Sequence, residues 1–377
     1  MHIAILTQPL RYNYGGILQN FALQTVLQRM GHNVITLDPQ RYLYPKWKYP
    51  YVFFRHAAGR YIKGHKNNSL FAEYLKDKET KILGTNTFQF IDRNIIRKEY
   101  KDIYEDIKES DYDAFIVGSD QVWRPQYNRG LTHLENMFLD FTKDWNVKRV
   151  AYAASFGTDK WEFTEEQTEE CKKEITKFNA LSAREDTGVY LIKERFGETA
   201  THVLDPTLLL DVKDYEELIN NSHVQGVDGD LYTCILDETE ENQKLINDLV
   251  KERNLTQYYY HSKILDWKHN HNIKDKIQPP VELWLKGFQQ AKFVLTDSFH
   301  ACVFSILFRK QFFLYGNSER GMSRYISLFK MLGINDRFVM NIKDVETKEP
   351  IDYDTVYNNL QNYREFSFKF LETALKV

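Results

Sequence analysis

Cysteine is scarce in the sequence, and its spacing excludes two kinds of stabilising site. The 377 residues contain three cysteines, Cys171, Cys234 and Cys302, which lie far apart without a CxxC pair. Structural zinc sites and disulfide frameworks need repeated, closely spaced cysteines, so we expect neither. Free thiols favour a reducing compartment such as the cytoplasm. The N-terminal MHIAILTQPL has no basic segment before an apolar one, so we also expect no signal peptide.

The sequence also lacks a strong excess of charge and a long apolar run. Its formal net charge of -3 gives no electrostatic basis for binding nucleic acid in bulk. The longest uncharged apolar run, around residues 301–308, is far shorter than the ~20 residues that a membrane helix needs. We therefore predict a soluble protein that neither binds nucleic acid nor spans a membrane.

Aromatic residues, in contrast, are abundant and make up 15% of the chain. Phe, Tyr and Trp fill hydrophobic cores, and they also line clefts that bind sugars. The composition favours the core interpretation for most of them and leaves individual rings as candidates for sugar binding.

The N-terminal half has the alternating pattern of a parallel α/β domain. HIAIL predicts a strand, ILQNFALQTVLQRMG a helix and NVITL a second strand. Residues 41–100 have weak periodicity and are expected to form loops and short helices over one edge. AFIV and KRVAYAASFG predict further strands, and TEEQTEECKKEITKF predicts a helix that closes the domain. This order of strands and helices predicts a parallel sheet.

A second α/β pattern begins near Ala180 and predicts a second domain. Strands are predicted in ALSA, LYTCIL, TQYYYH, FVLTD and KQFFLYG, with helices between them. We predict a Rossmann-like domain of residues 1–178, which C-terminal helices in residues 355–377 could complete, and a second Rossmann-like domain of residues 179–354. Two such sheets in tandem leave a cleft between the carboxyl ends of their strands.

A single histidine stands between a predicted strand and a predicted helix. In FVLTDSFHACVFSILF the strand ends at Asp297, either Asp297 or Ser298 would cap the helix, and His300 would lie in its first turn. The free N–H groups and the positive end of the helix dipole favour an anion there, and a histidine can donate a proton to it. From spacing alone, His300 is either an acid–base group or a partly buried histidine bonded to a carbonyl.

Two other turns carry candidate binding groups. Arg184 in LSAREDTG would leave a strand toward the cleft, where a guanidinium can bind a carboxylate or phosphate. Alternatively, Arg184 would join a surface network with Glu185 or Asp186. Gly15 and Gly16 in NYGGILQ would let a phosphate or sugar approach, although the stretch matches neither GxGxxG nor a Walker A loop.

The turn VGSDQVW groups Ser119, Asp120 and Trp123 directly after a strand. Asp120 could orient or deprotonate a hydroxyl, and Trp123 could stack on a sugar ring. A capping aspartate and a core tryptophan are equally compatible with this stretch. The three histidines of HSKILDWKHNHN are interpreted as solvated side chains of a polar loop, so no metal site is predicted.

Taken together, these turns resemble the polysaccharide pyruvyl transferase family. The resemblance is carried by NYGGILQNFALQ, FIVGSDQVW, LSAREDTG, VLDPTLLLD and TDSFHACVFSILF, which occur in the family's order. It implies a fold like that of the GT-B glycosyltransferases, with two Rossmann-like halves facing one cleft. It also implies transfer of the enolpyruvyl unit of phosphoenolpyruvate onto two hydroxyls of one sugar, which leaves a pyruvate ketal and free phosphate.

One position departs from the family's pattern. The family binds its donor through an arginine that Arg184 matches and through a Ser-x-Arg-x-His turn, in which His300 matches but Ser298 replaces the arginine. Loss of a charge-assisted contact costs about 1.5–3 kcal/mol, so another cation must substitute, the donor differs, or activity is lost. Arg324 and Arg320 are the candidate substitutes, and the Ser298 hydroxyl and the helix N-terminus could supply further hydrogen bonds.

The resemblance and the chemistry together suggest roles for these residues. We expect protonated His300 to donate the proton, Arg184 to hold the donor, and Asp120 to act as base or sugar anchor. No metal or cofactor is expected besides phosphoenolpyruvate as co-substrate. The acceptor would be a sugar of a surface or capsular polysaccharide, or a lipid-linked precursor that would allow peripheral association with a membrane.

Two alternatives stay open. A nucleotide-sugar glycosyltransferase of the same architecture would use an acidic residue, Asp297 or Glu282, to bind a ribose. A sugar- or anion-binding relative without turnover would be consistent with the missing arginine at Ser298.

Overall fold

The computed structural model describes residues 1–40, 50, 80–128, 133–260, 276–316, 321–334 and 336–376. The candidate Arg320 and the histidine-rich stretch HSKILDWKHNHN lie outside the described residues. So does most of the region 41–79, which was expected to form loops and short helices.

The first sheet consists of parallel strands from residues 2–202. Its strands are β1 His2–Leu6, β2 Asn33–Pro39, β3 Arg97–Tyr100, β4 Ala114–Val117, β5 Lys148–Ala154, β6 Ala180–Ala183 and β7 Thr201–His202. Their order across the described sheet is β3-β2-β1-β4-β5-β6-β7. Neighbouring strands pair in parallel, for example Ile3 with Ala114. The central strand β4 is buried along its whole length, as is typical of a parallel sheet covered on both faces.

The second sheet is also parallel. Its strands are β8 Leu231–Cys234, β9 Gln257–Tyr258, β10 Phe293–Thr296, β11 Gln311–Tyr315 and β12 Phe338–Val339. Their order is β12-β11-β10-β8-β9 within the described part of the chain. Two parallel sheets with intervening helices confirm the predicted α/β class.

Helices connect and cover the strands. Those described are α1 Tyr14–Arg29, α2 Thr85–Asn94, α3 Ile103–Asp106, α4 Glu165–Ile175, α5 Asp186–Leu191, α6 Val212–Ser222, α7 Glu240–Arg253, α8 Val281–Gln290, α9 Phe299–Leu307, α10 Ser323–Leu332, α11 Ile342–Glu346 and α12 Tyr353–Ala374. Within the described residues, no helix combines the length and the apolar character that crossing a membrane requires.

The first sheet extends past the predicted domain boundary between residues 178 and 179. Strand β6 pairs with β5 through Ala151 and Leu181, and β7 pairs with β6. Helix α4 is therefore a crossover connection within the first sheet and not its last element. A short apolar stretch such as ALSA is compatible with either sheet, so the sequence carries no signal for the sheet that it joins.

The C-terminal residues form one long helix, α12, that packs against the first sheet. The ring of Phe370 lies 6.2 Å from that of Tyr152 in β5. Arg364 donates hydrogen bonds of 2.6 Å to the carbonyl oxygens of Leu208 and Leu210. The end of the chain thus returns to elements of the N-terminal half.

Candidate active site

Side chains from the carboxyl ends of both sheets meet in a buried group that we call the central cluster. Its members are Asp120, Arg184, Asp205, Phe299 and His300, each less than a tenth exposed. The first three follow strands β4, β6 and β7 of the first sheet. The last two begin α9, directly after β10 of the second sheet. Ligands of α/β proteins bind at this edge of a parallel sheet, so the cluster is the candidate active site.

Asp205 lies between the arginine and the histidine. Arg184 Nη1 donates a hydrogen bond of 2.8 Å to Asp205 Oδ2, and His300 Nε2 lies 3.6 Å from the same oxygen. The other oxygen, Oδ1, accepts hydrogen bonds from the backbone N–H and the hydroxyl of Thr207, at 3.0 and 2.6 Å. Burial raises the pKa of Asp205, but His300, Arg184 and Thr207 outweigh it and hold the pKa well below its usual value. The carboxyl group is therefore ionised at neutral pH.

The guanidinium of Arg184 is enclosed by acidic groups and an aromatic ring. Its Nη2 lies 3.6 Å from Asp120 Oδ1, and its Nε lies 3.8 Å from Glu185 Oε2. The guanidinium carbon lies 4.4 Å from the centre of the Phe299 ring. Burial lowers the pKa of Arg184, but the charges of Asp205, Asp120 and Glu185 outweigh this effect and raise it.

Three buried nitrogen atoms of the central cluster have no hydrogen-bond partner among the described residues. They are Nε and Nη2 of Arg184 and Nε2 of His300. Most buried polar groups in proteins are hydrogen-bonded, so each such atom needs an explanation. The N–H groups of a guanidinium and an imidazole donate to anions, so a bound anion is one such explanation.

The turn at the start of α1 closes over the imidazole of His300. A Cβ added to Gly15 would lie 2.0 Å from His300 Nδ1, and one added to Gly16 would lie 3.4 Å from Asp120 Oδ2. The imidazole thus fills the space that a side chain at Gly15 would need, which accounts for the glycine, and a phosphate or sugar contact at Gly15 stays a prediction. Asn13 donates a hydrogen bond of 3.4 Å to Asp120 Oδ2, so this turn also contacts the central cluster.

Ser119 and Trp123 lie in the protein interior. The hydroxyl of Ser119 donates to the Ala153 carbonyl at 2.9 Å and lies 3.5 Å from Asp205 Oδ2. Trp123 Nε1 donates to the Met137 carbonyl at 2.9 Å, and its ring stacks on Phe138. Trp123 is fully buried, so the prediction that it stacks on a sugar is wrong and the core interpretation is correct.

Asp297 and Ser298 do not cap α9 with their side chains. Ser298 occupies the N-cap position, but its side chain makes no capping hydrogen bond. The carboxylate of Asp297 accepts hydrogen bonds from the backbone N–H groups of Leu236, at 2.7 Å, and Asp237, at 3.0 Å. It thereby fixes the turn that follows β8. Glu282 is also buried, in the first turn of α8, and burial raises the pKa of its carboxyl group.

Helix α10 connects the two turns of the central cluster and carries Arg324. Ser327 accepts a hydrogen bond of 3.0 Å from the Asp186 N–H, and Tyr325 donates one of 2.7 Å to the Asp297 carbonyl. The guanidinium carbon of Arg324 lies 5.8 Å from the centre of the Phe299 ring, which Arg184 also contacts. Burial lowers the pKa of Arg324, and the positive charge of Arg184 lowers it further.

Sequence reasoning missed two acidic residues of this region. Asp205 lay in the quoted stretch VLDPTLLLD, where an acidic residue after a short strand was the available signal. Glu185 was assigned to a surface network, but it is buried and accepts hydrogen bonds from the Ser155 hydroxyl, at 2.7 Å, and the Phe156 N–H, at 3.1 Å. The surface interpretation of Arg184 is therefore wrong.

Comparisons with known proteins bear on the family and the fold of the chain. The sequence pattern of a family described as polysaccharide pyruvyl transferase matches residues 13–319. No protein with a curated description matches the chain. Arabidopsis thaliana UGT89C1 complexed with UDP-L-rhamnose is 9% identical, with 99% of this chain and 97% of that chain covered and a TM-score of 0.53.

A second solved structure aligns with the chain over a similar length. UDP-GlcNAc 2-epimerase from Neisseria meningitidis, bound to UDP-GlcNAc, is 9% identical, with 100% of this chain and 94% of that chain covered and a TM-score of 0.47. At such identities, similarity to the Arabidopsis protein shows the fold alone. The chain has the GT-B-like fold that its sequence predicted.

Proposed function

The chain belongs to the polysaccharide pyruvyl transferase family, and on that premise we propose that it transfers the enolpyruvyl unit of phosphoenolpyruvate to a sugar of a surface polysaccharide or its precursor. The observation that carries the proposal is that Arg184 and His300 both approach Oδ2 of Asp205 in the protein interior. Three nitrogen atoms of these two side chains have no hydrogen-bond partner among the described residues. A fixed cation can bind the acidic groups of the donor, and an imidazole can deliver a proton beside them.

The reaction balances with the groups of the central cluster. Protonated His300 donates its proton to the methylene carbon of the donor, which makes C2 electrophilic. A sugar hydroxyl then forms the first C2–O bond and loses its proton to Asp120. The bond between C2 and the phosphate oxygen breaks as the second hydroxyl forms the second C2–O bond. Of the two hydroxyl protons, one restores the proton of His300 and the other leaves with the phosphate.

Charge in the central cluster limits how the donor can bind. Phosphoenolpyruvate carries about three negative charges, from one phosphate and one carboxylate. Arg184 already contacts Asp205 and approaches Asp120, so its guanidinium alone cannot neutralise the donor. We propose that Arg324 takes the role of the arginine that Ser298 replaces, since Arg184 and Arg324 approach the same Phe299 ring.

The nucleotide-sugar alternative has less support in the geometry. It requires an acidic side chain to bind a ribose, and Asp297 was a candidate. The carboxylate of Asp297 instead binds the backbone of Leu236 and Asp237, and the residue is buried. Binding a ribose there would require these hydrogen bonds to break, each worth about 1.5–3 kcal/mol to a charged acceptor.

Donor specificity tests the proposal directly. Phosphoenolpyruvate is expected to raise the melting temperature of the protein, whereas UDP-, GDP- and CMP-sugars are not, because the central cluster offers cations for small acids. With a panel of free and lipid-linked glycans, we expect phosphate release and an acceptor whose mass increases by one pyruvate ketal. Stabilisation by a nucleotide sugar alone would contradict the proposal, and absence of ketal across the panel would favour a binding protein without turnover.

The proposed role of Arg324 predicts that its substitution lowers the affinity for phosphoenolpyruvate and that a second substitution restores this affinity. Arg324→Met is expected to raise the KM for phosphoenolpyruvate about 10–100-fold, the effect of one lost charge-assisted contact. Adding Ser298→Arg should restore most of the affinity, because it returns an arginine to the family's position and breaks no capping hydrogen bond. Steady-state kinetics of both variants, with circular dichroism to verify folding, provide the measurement.

A matched control comes from another arginine that contacts aromatic rings. The guanidinium carbon of Arg253 lies 5.4 Å from the ring centre of Phe293 at the opposite end of β10, so Arg253→Met should leave the KM unchanged. If the KM of Arg324→Met equals that of the wild type, Arg324 does not bind the donor.

A further inference from the structure

Asp205 contacts both side chains that the proposed reaction uses. Its Oδ2 accepts a hydrogen bond from Arg184 and lies 3.6 Å from His300 Nε2. Its Oδ1 accepts two hydrogen bonds from Thr207, and the residue caps the short helical turn Pro206–Leu208. With one oxygen fixed by its own turn, the carboxylate presents the other to the central cluster in a defined position.

The carboxylate of Asp205 in the central cluster lowers the affinity for an anionic donor. Like charges in a buried site repel strongly, because the low local dielectric weakens screening. The cost is offset if the carboxylate keeps a second positive charge in the site. Against the carboxylates of Asp120 and Asp205, Arg184 and a protonated His300 bring the central cluster to neutrality, whereas a neutral imidazole leaves the cluster with a net negative charge that repels the donor.

We propose that Asp205 is a positioning residue of the reaction. It holds Nη1 of Arg184, which leaves Nε and Nη2 without a hydrogen-bond partner among the described residues, and it lies beside Nε2 of His300, whose proton the donor's methylene carbon receives. The inference rests on the proposed function for the identity of the reaction. Its two contacts, however, exist in the protein without any substrate and can be tested there.

The charged groups around His300 come from several elements. Arg184 and Glu185 follow β6, Asp120 follows β4, and Arg324 lies on α10 beyond the Phe299 ring. Helix α1 contributes the backbone of Gly15 and no charge. Asp205 is the carboxylate in contact with the imidazole, so its removal takes away the nearest negative charge and leaves Asp120 and Glu185 against the two guanidiniums.

Asp205→Asn tests the proposal, because it keeps the shape of the side chain and removes its charge. The imidazole signal of His300 should change at a lower pH in the variant than in the wild type, because the close negative charge that favours the imidazolium is gone. The measurement is NMR of histidine-labelled protein without substrate, with the signal assigned by its absence in His300→Gln. The limb at which kcat/KM declines with rising pH should move in the same direction.

Thr207→Val is the matched control for a merely structural role. It removes the hydrogen bond that the Thr207 hydroxyl donates to Oδ1 of Asp205 and leaves the charge of the carboxylate in place. We expect a lower melting temperature with an unchanged titration of His300. An unchanged titration in folded Asp205→Asn would overturn the proposal, whichever substrate the protein uses.

A second measurement uses the unaltered central cluster. In the wild-type protein, the carboxyl carbon signal of Asp205 should change at the pH where His300 titrates, because interacting groups titrate together. A carboxyl signal that stays constant through that pH would also overturn the proposal. A shared titration in a protein that forms no ketal would instead support the contact and count against the proposed function, so the two failures are distinguishable.

Discussion

Replacing His300 with glutamine is expected to lower kcat for ketal formation by about 10²–10⁴-fold, the range that a positioned acid–base group contributes. Glutamine keeps a hydrogen-bond donor near the position of Nε2 but cannot transfer a proton at neutral pH. Binding of phosphoenolpyruvate should therefore change far less than turnover. Isothermal titration calorimetry measures the donor affinity, and a continuous phosphate-release assay measures the rate.

The control for this substitution is a histidine at the amino ends of the strands of the first sheet. His32 stands directly before β2, at the amino ends of the strands, whereas His300 lies at their carboxyl ends. His32→Gln makes the same chemical change away from the central cluster and should retain the wild-type kcat. A His300→Gln variant with undiminished turnover would show that the proton has another source.

The fold was predictable where strands are buried on both faces. β4, β5 and β10 are nearly continuous apolar stretches, and each lies where the sequence predicted it. Strand β3 was missed because its sequence RKEY has no apolar alternation, and only Tyr100 is buried at this edge of the sheet. Membership of a sheet was harder to predict than the existence of a strand, as the displaced boundary at residue 178 shows.

The candidate site was predictable only in part, for reasons of geometry. Arg184 and His300 stand directly after strands, so the parallel-sheet rule alone brings them to the same edge. The contact of Asp205 with Arg184 depends on the register of two short strands, in which Ala183 lies opposite His202, and no sequence pattern specifies that register. The sequence left Trp123 open between a sugar contact and the core, because a carbonyl oxygen in the core can satisfy its indole N–H as well as a ligand can.

Loss of the guanidinium of Arg184 should damage both function and stability. Arg184→Met leaves Asp205, Asp120 and Glu185 in the interior without the cation beside them. Breaking a buried ion pair by removing one partner costs about 3–5 kcal/mol, and the donor also loses its fixed cation. We expect turnover near background and a marked decrease in the free energy of unfolding at pH 7, measured by urea denaturation.

The dependence of this stability loss on pH follows from Asp205. Its pKa in the folded wild type is well below the usual value, in part because of Arg184, so ionised Asp205 stabilises the fold above a pH of about 4. That contribution is lost as the pH falls through the low pKa of the folded state. Arg184→Met raises this pKa toward the unfolded value, so the difference in unfolding free energy between wild type and variant should narrow as the medium is acidified below about pH 4.

A double-mutant cycle separates the ion pair from general damage to the core. In Arg184→Met/Asp205→Asn both charges are absent, so the carboxylate nearest the guanidinium no longer remains buried without its partner. The double variant should therefore be more stable than the sum of the two single losses predicts, with a coupling energy of about 0.5–3 kcal/mol. Strictly additive losses would mean that Arg184 and Asp205 contribute independently, and that the contact between them does not organise the site.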